Sequence, residues 1–105
     1  MAKVAWSASA ARDLERAVAY IAQDSPAYAA AFAREVLAAS RSLRSLAGRG
    51  RIVPEVGRDD VRELILSSYR LIYRTDQAPS RVRVLAFLHG RRELRMARLP
   101  LDEPE

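Results

Sequence analysis

"VRELILSSYRLIYR", residues 61–74, decides what kind of fold this chain adopts. On both sides of Ser67 and Ser68 the apolar side chains recur at every second position, the period of a β-strand. Two serines between two such runs read as a tight turn, so the segment is an antiparallel hairpin. Arg70 and Arg74 share a face with the apolar Ile72. A guanidinium on such a face needs a carboxylate or phosphate that meets its planar fork of donors. Glu63, on the first run, is expected to pair with a neighbouring-strand arginine such as Arg74 rather than to act as a general base. Alternation sends Tyr69 and Tyr73 to the opposite face from Arg70, into the core.

Downstream, after a turn at "DQAPS" (76–80), "RVRVLAFLH" (81–89) is a further strand. Val82, Val84, Ala86 and Leu88 make one face and Leu85 and Phe87 the other. Apolar residues on both faces imply a central strand covered on both sides. Upstream, "RIVPE" (51–55) is a short strand whose Pro54 belongs at a sheet edge, because proline has no N–H to donate. "VGRDD" (56–60) is a loop, and "GRRELRMARL" (90–99) a short helix or an extended arm.

Before residue 48 the period changes to that of a helix. Ala29, Phe32, Val36, Ala39, Leu43 and Leu46 form one apolar stripe over about five turns. Ser25 is its cap, Pro26 its first residue, and "GRGR" (48–51) its stop. Ala11, Leu14, Val18 and Ile21 form a second stripe, capped by Ser7. The short "DSP" break (24–26) makes the two helices an antiparallel hairpin. "KVAWS" (3–7) is a first short strand, and Trp6 and Phe32 read as packing residues. The expected architecture is therefore α+β: an N-terminal strand, then a helical hairpin packed on one face of a small, mainly antiparallel sheet. All 105 residues are expected to form one domain, with the acidic tail at 101–105 peripheral.

Composition narrows the functional classes. Half of the residues are hydrophobic, which fits a globular chain. No apolar run reaches the roughly 18 residues of a membrane span, and the amino terminus lacks a signal peptide's apolar stretch. The chain has no cysteine and one histidine, His89, so neither a thiolate nor a histidine metal site is expected. No cofactor is expected, and the cytoplasm is the expected compartment. The formal net charge is +5, and every cation but Lys3 is an arginine. Such a field favours an acidic partner, either nucleic acid or an acidic protein segment. The sheet face away from the helices is expected to carry Arg70, Ile72, Arg74, Arg83, Leu85, Phe87 and His89. That surface, apolar in the middle and basic at the rim, reads as a binding surface.

"RELILSSYRLIYR" followed by "VLAFLHGRRE", after "WSASAARDLERAVAYIAQDSP", closely resembles the RelE/ParE superfamily of bacterial type II toxins. The resemblance spans residues 3 to 95 and favours the ParE-like branch, through the long helical hairpin with its "AYIAQDSP" break. It implies a growth-inhibiting toxin neutralised by a cognate, ParD-like antitoxin. Two targets are open: ParE-like members inhibit DNA gyrase, and RelE-like members cleave messenger RNA on the ribosome. A fold does not choose between them, so the site must.

Ribonuclease chemistry needs a base, a cation for the phosphorane and an acid for the leaving oxygen. In the ribonuclease relatives these come from lysines before the "YR" pair, its arginine, an arginine after the last strand, and a tyrosine beyond. Arg70 and Arg92 match the two arginines, while Val61 and Glu63 stand where lysines would be, and no tyrosine follows "GRREL". His89 is the one further shuttle candidate. The expectation is a non-enzymatic gyrase inhibitor, with Arg70, His89, Arg91, Arg92 and Arg95 facing the target. Ile72, Arg74, Arg83, Leu85 and Phe87 are expected to meet the antitoxin. If the chain were a ribonuclease, Arg70, His89 and Arg92 would be its catalytic residues. A nucleic-acid-binding module without toxicity is a further alternative.

Overall fold

The computed structural model describes residues 1–77, 80–90 and 99. Strand β1 (Lys3–Trp6) leads into helix α1 (Ala8–Ala22) and helix α2 (Pro26–Ser42). Strands β2 (Arg51–Ile52), β3 (Val61–Leu66), β4 (Tyr69–Gln77) and β5 (Ser80–His89) follow. The sheet has the order β1-β5-β4-β3-β2, antiparallel throughout except where β1 runs parallel to β5. The α+β architecture with its N-terminal strand is the one expected.

Both helices begin where a serine oxygen meets a free backbone N–H. Ser7 Oγ accepts from Ala10 N at 3.1 Å, and Ser25 Oγ accepts from Tyr28 N at 3.1 Å. Pro26 opens α2, where its missing N–H costs nothing. α2 ends at Ser42, so Leu43 is buried at its cap while Leu46 lies beyond the helix and is exposed. The apolar stripe is thus one turn shorter than the periodicity implied.

The helices cover one face of the sheet. Ala10, Ala17, Phe32 and Val36 meet Leu64, Leu71, Tyr73, Val82, Val84 and Phe87 in the main core. Trp6 sits at its margin, where its indole N–H donates to Ser40 Oγ at 2.9 Å. Tyr73 is buried there too, and its hydroxyl donates to Ala47 O at 2.7 Å and accepts from Gly50 N at 2.9 Å. That one phenol ties the end of the helical layer to the sheet. Burial pushes its pKa up.

The face of β5 is where strict alternation fails. Tyr73 is paired with Val84 but Ile72 with Ala86, which leaves Leu85 as the extra residue of a β-bulge. Val82 and Val84 therefore point into the helix-side core, and after the bulge it is Phe87 that does so. Leu85, Ala86 and Leu88 all belong to the other side. Phe87 was expected beside Leu85, and the bulge moves it across the sheet. Its ring stacks on Tyr69 at 5.1 Å, well inside the helix layer. β5 remains a central strand, apolar on both faces.

The second face is covered over Ile72 and Leu85 and open towards Ile65 and the Arg70 end of the hairpin. Val53, Val61, Ile72, Leu85 and Leu99 form a smaller buried cluster, with Val56, Ala86 and Leu88 packed against it. The 53–57 segment folds back as a turn, with Val56 N and Gly57 N both donating to Val53 O. Gly57 has φ +69°, a left-handed conformation that glycine adopts without a steric penalty. Among the described residues no helix is long and apolar enough to cross a membrane.

Candidate functional site

The site grows from the hairpin itself. β3 and β4 pair with Ile65 opposite Arg70 and Glu63 opposite Ile72, so Glu63 lies diagonally next to Arg70 on one face. Pairing of β2 with β3 puts Arg51 directly across from Glu63. The turn that follows β2 returns Glu55 to the same spot.

Arg70 is fully engaged there. Its Nε donates to Glu63 Oε1 at 2.6 Å, while Nη1 and Nη2 donate to the two oxygens of Glu55 at 2.8 Å each. Arg51 Nε takes the second oxygen of Glu63 at 2.6 Å. The side chain of Arg70 is 8% exposed and that of Glu63 0%, whereas Glu55 is 36% and Arg51 63% exposed. Two cations and two carboxylates thus form one chain, dry in its middle at Arg70 and Glu63 and wet at its two ends, Glu55 and Arg51. The bonds to Arg70 hold the Glu55 carboxyl below its ordinary range, against the opposing effect of burial. Reciprocally, the Arg70 guanidinium is held above its own ordinary value, first by Glu55 and then by Glu63, with burial opposing.

Glu63 therefore pairs with Arg70 and Arg51, not with Arg74. Arg74 instead lies 3.6 Å from Asp60 and 3.4 Å from Asp76. The loop explains the choice: Arg58 grips Asp60 through two hydrogen bonds of 3.0 and 2.7 Å, holding a carboxylate near the Arg74 end of β4. Those bonds hold the Asp60 carboxyl below its ordinary range. Arg83 is opposite Arg74 in the ladder and buried.

A cleft of about 800 Å³ opens at the Arg70 end of the hairpin, lined by Arg51, Glu55, Ile65, Tyr69, Arg70 and His89 among others. The pairing puts His89 opposite Tyr69, whose ring it meets edge-on at 5.4 Å between centroids. The bulge that turned Phe87 leaves His89 at the rim, between this cleft and a smaller one of about 240 Å³ beside α1. In the smaller cleft, Phe87 N donates to Asp13 Oδ2 at 3.3 Å.

His89, expected on the same face as Arg70, is carried to the helix side opposite Tyr69, while Arg70 lies opposite Leu88 on the other face; the two meet only at the end of the hairpin, where both line the cleft. Arg91, Arg92 and Arg95, with the 91–98 part of the expected C-terminal element and the 101–105 tail, lie outside the described residues. Ile72, Leu85 and Phe87, expected on an accessible surface, are all buried, the first two under Val53 and the third under the helices. Glu55 is the site residue that sequence reading missed. The faint signal was its place after Pro54 in a turn, one of few carboxylates near so many arginines.

The chemistry open to this arrangement follows from the bonds. Glu63 is inaccessible and both of its oxygens accept from guanidiniums, and the Tyr73 hydroxyl is sealed in the core. Glu63 and Tyr73 are thus excluded as proton shuttles, and among the described residues the ionisable groups that line the cleft beside the arginines are Glu55, Tyr69 and His89. Arg70 can take an oxyanion in a two-pronged grip through both Nη atoms only if Glu55 leaves. No group of three or more histidine, cysteine or acidic residues among the described residues is arranged to hold a metal ion.

The family model described as the ParE toxin of the type II toxin–antitoxin system parDE matches residues 4–94. The chain belongs to the ParE toxin family. Its fold is similar to a chain of the chromosomal ParDE system from P. aeruginosa, with a TM-score of 0.68 at 21% identity. That likeness covers 85% of this chain and 96% of the other. It is also similar to a chain of the toxin–antitoxin complex RelBE2 from Mycobacterium tuberculosis, with a TM-score of 0.57 at 24% identity. There the match covers 84% of this chain and 96% of the other. No curated protein matches the chain. At these identities the structural likeness speaks for the fold, and ParE-family membership rests on the family model.

Proposed function

We propose that this chain is a type II toxin that inhibits DNA gyrase by binding, in the cytoplasm, and is held in check by a cognate antitoxin. One observation carries the choice of binding over catalysis. Arg70, the cation a ribonuclease site would turn towards a scissile phosphate, is instead clamped between Glu63 and Glu55 at 2.6 to 2.8 Å. Val61 and Glu63 occupy the positions where lysines would supply a base. Family membership and the two toxin–antitoxin complexes of like fold support the partnership with an antitoxin.

Under this reading the target meets Arg70 and His89 at the end of β5, together with Arg91, Arg92 and Arg95, which follow it in sequence. A desolvated guanidinium contact of this kind is worth about 2–5 kcal/mol of binding, and a solvated one below about 1 kcal/mol. The antitoxin meets Arg74 and Arg83, and reaches Ile72 and Leu85 only where it lifts the 53–57 turn.

A ribosome-dependent ribonuclease is the second reading, favoured by His89 and Arg70 lining one cleft. Supercoiling by gyrase and ribosome-dependent mRNA cleavage, assayed side by side with the purified chain, separate the two. Blocked supercoiling with intact mRNA is the expected outcome; cleaved codons with normal supercoiling would overturn it.

A further inference from the structure

The two carboxylates on Arg70 are not equivalent. Glu63 lies within the sheet, has no exposed side-chain surface, and is shared with Arg51. Glu55 sits on the 53–57 turn, over a third exposed, and makes its two bonds from the solvent side. Rotation about its side-chain bonds would free both Nη atoms of Arg70 towards the cleft without any backbone movement. The cleft has room for an incoming group, and its wall is mixed: Arg51 is a second cation, while Pro54 and the exposed Ile65 are apolar.

We propose that Glu55 is an exchangeable, built-in occupant of this cleft, and that a carboxylate from a partner protein's acidic segment takes its place on Arg70. That the partner is the antitoxin rests on the proposed function; the exchange itself does not. Replacing one carboxylate by another keeps the two-pronged pair intact, so Arg70 never becomes a buried cation without a counter-ion. The surplus that favours the newcomer comes from its neighbours, whose apolar side chains cover Ile65 and Pro54. A nucleic acid suits the cleft less well. Among the described residues, Arg51 and Arg70 are matched one for one by Glu55 and Glu63, so these two cations offer little surplus charge to a row of phosphates.

The test is rescue by a small carboxylate. Thermal unfolding of the full chain is followed at neutral pH in sodium propionate and in sodium chloride of equal ionic strength. Glu55→Ala should unfold at a higher temperature in propionate, by about 2–3 °C at a concentration near its Kd. The unsubstituted chain, with its fork occupied, should show no such difference. Adding Arg70→Lys to Glu55→Ala should abolish the rescue, because an ammonium offers no planar fork. If Glu55→Ala fails to fold, Glu55→Gln serves, since its amide satisfies only half of the fork.

Equal response of the variant and the unsubstituted chain would overturn the proposal, as would rescue that survives Arg70→Lys. A larger effect from dimethyl phosphate than from propionate would overturn the assignment to a protein carboxylate. None of these outcomes depends on gyrase, so failure of the supercoiling assay and failure of the exchange are separable.

Discussion

At the scale of single residues, the pairing around Arg70 makes unequal predictions for its two carboxylates. Glu63→Ala leaves two guanidiniums without their shared acceptor, one of them buried, and should destabilise the chain by about 3–5 kcal/mol. Glu55 is over a third exposed and its bonds are screened by water, so Glu55→Gln should cost only about 0.5–1 kcal/mol. Denaturant midpoints at neutral pH measure both. Equal costs would mean that the dry middle and the wet end of this ion-pair chain are not energetically distinct. The Tyr73 hydroxyl gives a third test. Tyr73→Phe leaves Gly50 N and Ala47 O without their partner and should cost about 1–3 kcal/mol.

At the scale of elements, two connections position the site. The first is the cap of α1. Ser7 Oγ accepts from Ala10 N and lies 3.3 Å from Leu85 O, at the bulge itself, as a donor to that carbonyl. Ser7→Ala removes both the cap and the link, and should cost about 1–2 kcal/mol, measured by thermal or chemical unfolding. Ser25→Ala removes only a cap and is expected at the lower end of that range. The second is the strand entry at Gly50. A Cβ there would come within 2.6 Å of Tyr73 Oη and 2.7 Å of Glu63 O, the latter a backbone atom that cannot swing aside. Gly50→Ala should therefore displace β2, and with it Arg51 and the turn carrying Glu55. A larger loss of stability than Ser25→Ala is the expected result.

At the scale of the whole molecule, the ion pairs make stability depend on pH in a definite direction. Glu55 and Asp60 both ionise more readily in the folded chain than in the unfolded one, because of Arg70 and Arg58 respectively. The unfolded state therefore binds protons first as pH falls. The stabilisation is fully present above the ordinary carboxylate range of about 4 and is lost as pH drops through the lower folded values. Unfolding free energy should fall on acidification below about pH 4, and Glu55→Gln should make that limb shallower. An unchanged acid limb in the variant would mean that Glu55 does not hold Arg70 in solution.

How much of this was legible in the sequence depends on range. The strand and helix periods, the serine caps, Pro26 at a helix start and the β3–β4 hairpin are local properties, set by residues within a few positions of each other. So are the quoted motifs that carry the family resemblance and the departures from ribonuclease chemistry at Val61 and Glu63. Register across the sheet is not local. Leu85 is an ordinary strand residue in sequence, and only the closure of β5 on both β1 and β4 makes it a bulge that turns Phe87 inward.

The same holds for Arg70. Its sequence neighbours show that a guanidinium sits on an apolar face and must have a partner. Only the folding of a loop fifteen residues away supplies Glu55, and with it the answer to what that guanidinium holds. Periodicity and capping are paid in backbone geometry that each short segment carries by itself, whereas counter-ions are chosen by which segments meet. Sequence alone determined the periods, the caps, the order of the described elements and the family resemblance; the tertiary structure decided where α2 and β2 stop, which face each side chain took and which carboxylates closed over Arg70.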